Sequence, residues 1–280
     1  MDKRELQQAL GAFMAGHPEN LVSPALALDK NDVGKQMFEN SPLLGVAAAR
    51  DPLFAGLKKP EVVGPFTLLP EEWLPGAQTV VSFFLPYTQE VKHANAADMD
   101  NPVNLWRNAR IDGQAFLVKV CLHLADLLRS AGGEACIPVL DTRFRSGNLG
   151  PEKDSRAYGI SYASNWSERH TAYICGLGTF SLNRGLITEK GICGRFGSII
   201  TTLPLEPDIR PYSGIYDYCT HCGACARNCP ANAINPALGK HQGLCSDYLD
   251  DTALQEIGYY GCGKCQVGIP CENGIPRPKP

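Results

Sequence analysis

The sequence has no long apolar run: its longest, around Val80 to Leu85, falls far short of the roughly 20 apolar residues that a membrane-spanning helix needs. It has no secretory leader pattern, because Met1-Asp2-Lys3-Arg4-Glu5 carries charges of both signs and no apolar stretch follows. It has no surplus of positive charge either. The 26 Lys and Arg against 29 Asp and Glu leave a formal net charge of -3, and no local basic patch offsets it. Bulk attraction to a polyanion is therefore absent, so a nucleic-acid partner is not expected. No internal repeat is present beyond the cysteine pattern. These absences predict a cytoplasmic protein in a reducing compartment, with no membrane contact. With 280 residues, 44% hydrophobic and 20% charged, the chain can bury one sizeable core and add a small module. Two domains are expected, residues 1–210 and 211–280.

The first of these reads as mixed helix and strand. Asp2 to Met14 has the spacing of an opening helix, stopped at Gly16-His17-Pro18. Ala77 to Leu85, bounded by Pro75-Gly76 and Pro86, predicts a buried strand, and the polar stretch Gln89 to Asn104 a loop. Gln114 to Ser130 puts Phe116, Val120, Leu124 and Leu127-Leu128 along one helical face, with Gly132-Gly133 as its stop. Ala135 to Leu140 reads as a short strand, and the strand-helix-strand rhythm favours an α/β or α+β core. A long loop from Asp141 to Gly159 is rich in Arg, Gly, Asn and Pro, and compact domains seldom keep such a loop unused. Asn165-Trp166-Ser167-Glu168 has capping-box spacing and predicts a helix from about Trp166 to Cys175. Arg195 to Leu205 reads as a further strand, and Pro204, Pro207, Pro211 and Gly214 form a linker.

Beyond the linker the twelve cysteines become the dominant signal. Cys219-x-x-Cys222-x-x-Cys225-x-x-x-Cys229-Pro230 is the bacterial ferredoxin run, in which three close thiolates wrap one corner of a 4Fe-4S cubane and the fourth ligates a neighbouring cluster. A second set follows at Cys245, Cys262, Cys265 and Cys271. The swap rule assigns Cys219, Cys222, Cys225 and Cys271 to one cluster and Cys229, Cys245, Cys262 and Cys265 to the other. Zinc is the competing reading, but zinc ribbons do not space three cysteines at successive threes before a Cys-Pro. Cys121, Cys136, Cys175 and Cys193 lie scattered through the first domain, where a free cysteine is usually a small buried hydrophobe. Cys193 is set apart by Gly191, Gly194 and Gly197 around it, which would let the backbone approach a ligand closely.

Glu168-Arg169-His170, Cys175-Gly176-Leu177-Gly178-Thr179-Phe180-Ser181-Leu182-Asn183, Leu186-Ile187-Thr188, the cluster run and Leu244-Cys245-Ser246-Asp247-Tyr248-Leu249 together resemble the epoxyqueuosine reductase family, with reductive dehalogenases as relatives. The likeness covers roughly the last 120 residues. It implies an α+β fold: a nitroreductase-like α/β domain that binds cobalamin, then a ferredoxin-like domain whose two 4Fe-4S clusters feed the corrinoid electrons. It implies an oxidoreductase served by a low-potential donor such as ferredoxin or flavodoxin, and it carries Asn183 over as a cofactor-binding position. Arg143 and Arg145 are candidates for holding corrinoid amides or a phosphate, or form a solvated loop. His170 is a candidate lower cobalt ligand or a hydrogen-bonded helix residue.

The departures from the family pattern narrow the substrate. The family's glycine-lysine is Ser181-Leu182 here, and its catalytic aspartate falls at Tyr162. Tyr162 is then the candidate catalytic residue, as proton donor or partner of an upper cobalt ligand, or a packing residue. The chain ends soon after the last cysteine, without the helical repeat that longer members use on tRNA. A tRNA substrate is therefore not expected. The spacing from Cys265 to Cys271 is two residues longer than the family's. The sequence thus points to a cobalamin-dependent reductase, or to a reductive activator of a partner's corrinoid. Epoxyqueuosine reduction, a flavin-linked reductase and a carrier with clusters alone are the alternatives.

Overall fold

The computed structural model describes residues 1–147, 149, 162–255 and 258–277. Most of the long loop expected from Asp141 to Gly159 lies outside the described residues. Helix α1 (Lys3–Met14) opens on a reciprocal cap: the Glu5 amide donates to Asp2 Oδ1 and the Asp2 amide to Glu5 Oε2, both at 2.8 Å. It buries Leu6, Leu10 and Met14, four residues apart on one face. Strands β1 (Leu43–Ala48) and β2 (Thr79–Pro86) follow, with the short helices α2 (Pro52–Gly56) and α3 (Pro70–Trp73) between them. Then come α4 (Gln89–Ala97), α5 (Asn104–Ser130), β3 (Ala135–Cys136), β4 (Ser146–Gly147), β5 (Ala163–Ser164) and α6 (Glu168–Ile174). The hairpin β6 (Gly178–Phe180) and β7 (Leu186–Thr188) leads to β8 (Gly194–Thr201). The cysteine-rich end holds α7 (Ala224–Arg227), the pair β9 (Ile234–Asn235) and β10 (Gly239–Lys240), and α8 (Gln242–Gln255).

The main sheet has the order β1-β2-β8-β3, with every pair antiparallel. All eight residues of β2 are buried, so both of its faces are covered. Val81, Phe83 and Leu85 pack with Val120 and Leu124 of α5, while Val80 and Phe84 face the other way, toward Ile174 and Ala172 of α6. The period of two along the strand thus sorts its side chains into two apolar layers, with α5 on one face and α6 on the other. Gly45 on β1 allows a close approach across this layer: a Cβ there would lie 2.2 Å from the Cys175 carbonyl oxygen.

The strands and helices expected near Ala77, Gln114 and Arg195 are present, but the polar stretch Gln89 to Asn104 is not a loop. It contains α4, whose first turn is capped by Thr88, and α5 begins ten residues earlier than its apolar stripe suggests. Here the polar groups face inward: Lys92, Asn95, Arg107 and Asn108 are all buried. The capping box expected at Asn165 is also absent. Asn165 instead accepts from the Arg145 amide at 2.8 Å and donates to the Arg143 carbonyl at 2.9 Å, and α6 starts from Ser167 without a side-chain cap. The apolar packing does not stop at residue 210. Ala224, Cys225, Val267 and Ile269 belong to the same buried cluster as Leu6 and Val81. Among the described residues, no helix is long and apolar enough to cross a membrane.

Two consequences can be measured. Gly45→Ala forces β1 away from the end of α6, and a loss of about 1–3 kcal/mol is expected in urea unfolding; an unchanged midpoint would show that the contact is slack. Glu168 heads α6 with both carboxyl oxygens shut off from solvent and without a hydrogen bond among the described residues. Burial raises its pKa to about 8. Because the folded value lies above the unfolded one, stability associated with this group is full below about pH 4.5 and declines as pH rises to about 8. Glu168→Gln should therefore melt higher than the wild type at pH 9, with the gap shrinking toward pH 5. A gap independent of pH would refute a buried neutral carboxyl.

Candidate redox centre

Two cavities lie at the cysteine-rich end, and the loop conformation decides which thiols line each. His221 at φ +50° and Gly223 at φ +70° curl the chain so that Cys219, Cys222 and Cys225 line one cavity. Cys271 closes it from the far side, with Ser181, Leu182, Asn183 and Ile187 behind. After α7, Cys229 turns to a second cavity, which it lines together with Cys245 on α8 and Cys262 and Cys265. The first cavity is about 20 Å³ and the second about 180 Å³. Among the described residues, no three Cys, His, Asp or Glu are gathered closely enough to hold a single metal ion.

These thiols suit a polynuclear cationic core. Burial, and after it the neighbouring sulfurs, pushes Cys225, Cys262 and Cys271 up to about 12. Burial likewise raises Cys265, which is beside Cys245 and Cys229. Four such groups cannot ionise together without positive charge between them, which a bound metal cluster would supply. The surrounding scaffold fixes the loops. Lys264, wholly buried, donates from Nζ to the Asn95 carbonyl and to Asn95 Oδ1, each at 2.7 Å. Asn95 in turn donates to the Cys262 carbonyl at 2.9 Å. The Ile192 amide reaches the Cys271 carbonyl at 3.0 Å. Gly263, at φ +69°, lies so near Trp106 that a Cβ would sit 1.9 Å from the indole.

The residues expected to bind a corrinoid are occupied elsewhere. Arg143 is bonded through its guanidinium to Asp141 at 2.8 and 2.7 Å and to the carbonyls of Glu72 and Trp73 at 2.8 Å, and it stacks on Trp73. Arg145 caps its own loop at the carbonyls of Thr142 and Phe144, 2.7 and 2.8 Å away. His170 accepts or donates at Nδ1 with the Ser167 hydroxyl at 2.8 Å, and burial, then Arg169, lowers its pKa to about 4. It faces Phe180 rather than either cavity. Cys193 is fully buried and donates its thiol to the Gln266 carbonyl at 2.9 Å. The glycines beside it admit protein, not ligand: a Cβ on Gly191 would meet the Glu272 carbonyl oxygen at 2.0 Å, and one on Gly194 the Leu85 carbonyl oxygen at 2.3 Å.

Asn183 does stand at a cavity, but at the first cysteine set. Its amide donates to the Cys265 carbonyl at 2.6 Å, while its Oδ1 accepts from Ser181 Oγ at 2.6 Å and the Gly185 amide at 2.8 Å. It braces the two cysteine groups against each other. Tyr162 is 57% exposed and lines neither cavity; its backbone pairs with the Gln242 side chain of α8 at 2.9 and 3.1 Å. The wall that does face the second cysteine set is formed by Tyr87, Trp106, Arg110, Arg169 and Arg195. Sequence reasoning missed it. Arg169 stands within the Glu168-Arg169-His170 segment, but Arg110 and Arg195 carry no local motif and are joined to it only by the packing of α5, α6 and β8.

Residues 213–235 match the family model for the 4Fe-4S binding domain, a span containing Cys219, Cys222, Cys225 and Cys229. The chain is 24% identical over 216 residues to an epoxyqueuosine reductase of Bacillus cereus, covering 74% of this chain and 51% of that protein. It is 29% identical over 105 residues to trichloroethene reductive dehalogenase of Dehalococcoides mccartyi, covering 37% of this chain and 18% of the relative. The chain therefore spans about half the length of the first relative and under a fifth of the second. The solved epoxyqueuosine reductase of Bacillus subtilis, with its catalytic loop swung out of the active site, aligns with a TM-score of 0.51 at 20% identity, over 98% of this chain and 67% of that one. A reductive dehalogenase described for B12-dependent dehalogenation aligns with a TM-score of 0.52 at 18% identity, over 84% of this chain and 30% of that one. In sequence and fold the chain is thus similar to epoxyqueuosine reductases and reductive dehalogenases.

Proposed function

We propose that this chain is an iron-sulfur reductase with two 4Fe-4S clusters, one on Cys219, Cys222, Cys225 and Cys271 and the other on Cys229, Cys245, Cys262 and Cys265. The observation that carries this reading is the division of eight thiols between two adjacent cavities, four to each. The ferredoxin run alone does not dictate it, since Cys271 joins its set from 42 residues beyond Cys229. Cys222 is exposed, so the first cluster is the entry point for electrons from a low-potential donor. The second lies against the wall of Tyr87, Trp106 and the three arginines, and delivers electrons there. The sheet domain then serves as the nitroreductase-like half that holds the acceptor.

A corrinoid acceptor is the second reading, favoured by the likeness to a B12-dependent dehalogenase. Guanidinium donors of the kind that match corrin amides are present on the wall. The described residues, however, do not enclose a corrinoid. The cavity of about 180 Å³ includes the place of the second cluster. Pockets that enclose drug-sized ligands measure about 300–1,000 Å³. No step is therefore assigned to a corrinoid.

Anaerobic purification should give a brown protein with about eight iron atoms per chain. Cys222→Ser and Cys271→Ser should each weaken one EPR signal, and Cys245→Ser and Cys262→Ser the other. A colourless or zinc-only preparation would refute the reading, and loss of one same signal in all four variants would refute the partition. Supplying hydroxocobalamin and counting cobalt tests the second reading separately, and absorption spectra distinguish a flavin. Lys264→Met leaves the acceptors on Asn95 buried without a donor, at about 1–3 kcal/mol for each unsatisfied group. It should lower the melting temperature and deplete iron from the second set first; full iron content with unchanged melting would show that the knot is dispensable.

A further inference from the structure

The second cavity, about 180 Å³, is lined beyond its cysteines by Tyr87, Trp106, Arg110, Arg169 and Arg195. Among the described residues, four cationic side chains line this cavity, Lys240 being the fourth, and no carboxylate does.

None of the three arginines has an ion pair among the described residues. Arg169 on α6 makes no hydrogen bond to a described residue. Arg110 on α5 stacks on Tyr260 with its guanidinium carbon 4.4 Å from the ring centre, and its Nε is shut off from solvent without a partner. Arg195 on β8 donates to the neutral Gln114 side chain. The cluster's own negative charge answers part of this: Lys240 and Arg169 have the second-set thiols as charged neighbours. Arg195 has Arg110 and the tyrosines Tyr87 and Tyr260 instead. Like charges gathered in a poorly solvated space repel by several times their strength in water, and among the described residues no carboxylate pairs with Arg110 or Arg195.

We propose that the space beside the second cysteine set is an oxyanion site, in which Arg110, Arg169 and Arg195 grip the carboxylate or phosphate of a small-molecule electron acceptor. Planar guanidinium forks match both groups with paired hydrogen bonds, and their arrival from three separate elements makes a fixed cradle. The role of the anion as acceptor rests on the two-cluster reading; its binding does not.

The test uses anaerobically reconstituted protein of measured iron content, titrated calorimetrically with inorganic phosphate and, separately, with acetate as the minimal carboxylate. Binding in the millimolar range or tighter is expected for at least one of them, weakening with added salt. Arg195→Gln and Arg169→Gln should each weaken it at least tenfold with iron content unchanged, and Arg195→Lys, which keeps the charge but loses the fork, should weaken it less. The stronger of the two probes identifies the class of anion. The bound anion should also shift the EPR signal that Cys245→Ser removes and leave the other signal in place. No binding of either anion by iron-replete protein, or equal binding by the wild type and both glutamine variants, overturns the proposal. Binding with a low iron count leaves the anion site standing and removes the cluster reading instead.

Discussion

Charge balance in a poorly hydrated interior is the constraint on which the rest of this structure depends. Eight sulfurs are brought into two neighbouring groups, and burial alone pushes several of them far from ionisation. Thiols in that position are useful only when something positive stands between them, and the loops around them are shaped accordingly. The same constraint runs outward in the opposite sign. Arginines from a long helix, a short helix and a sheet strand are turned toward the second sulfur group, with no carboxylate among the described lining residues. The sulfur group on one side and the cationic wall on the other form a polarised cleft.

The sheet supplies the rigidity this cleft needs. β2 is covered on both faces, and the helices that present Arg110 and Arg169 pack on opposite sides of it. The cysteine loops are in turn tied to that scaffold by buried polar contacts rather than by apolar packing alone. Asn95 holds Cys262, Asn183 holds Cys265, and Lys264 locks Asn95 in place. Amides reaching backbone carbonyls fix position without competing for the sulfurs, which remain available to metal.

What could be read in the sequence divides along the same line. The cysteine run was legible because short spacing in one segment encodes geometry directly, and the apolar stripes of α5 and β2 were legible because period reports burial. The helix at Gln89 was not, since Lys92 faces inward to pair with Glu39, and Asn95 faces inward to hold a loop 167 residues later in the chain. The arginine wall was invisible for a similar reason: Arg110 and Arg195 stand 85 positions apart and meet only through the fold. Glycines near Cys193 were correctly seen as sites of close approach, but nothing local distinguishes a ligand from the protein's own backbone. Arg143 and Arg145 looked available because hydrogen bonding to distant carbonyls leaves no mark on composition.

The shared interior has one more consequence. Val267, Ile269 and Cys225 lie in the same apolar cluster as the first helix and the central strand. Disorder in the cysteine loops would therefore not stay local: it would open the hydrophobic interior that those loops share with the first helix and the central strand.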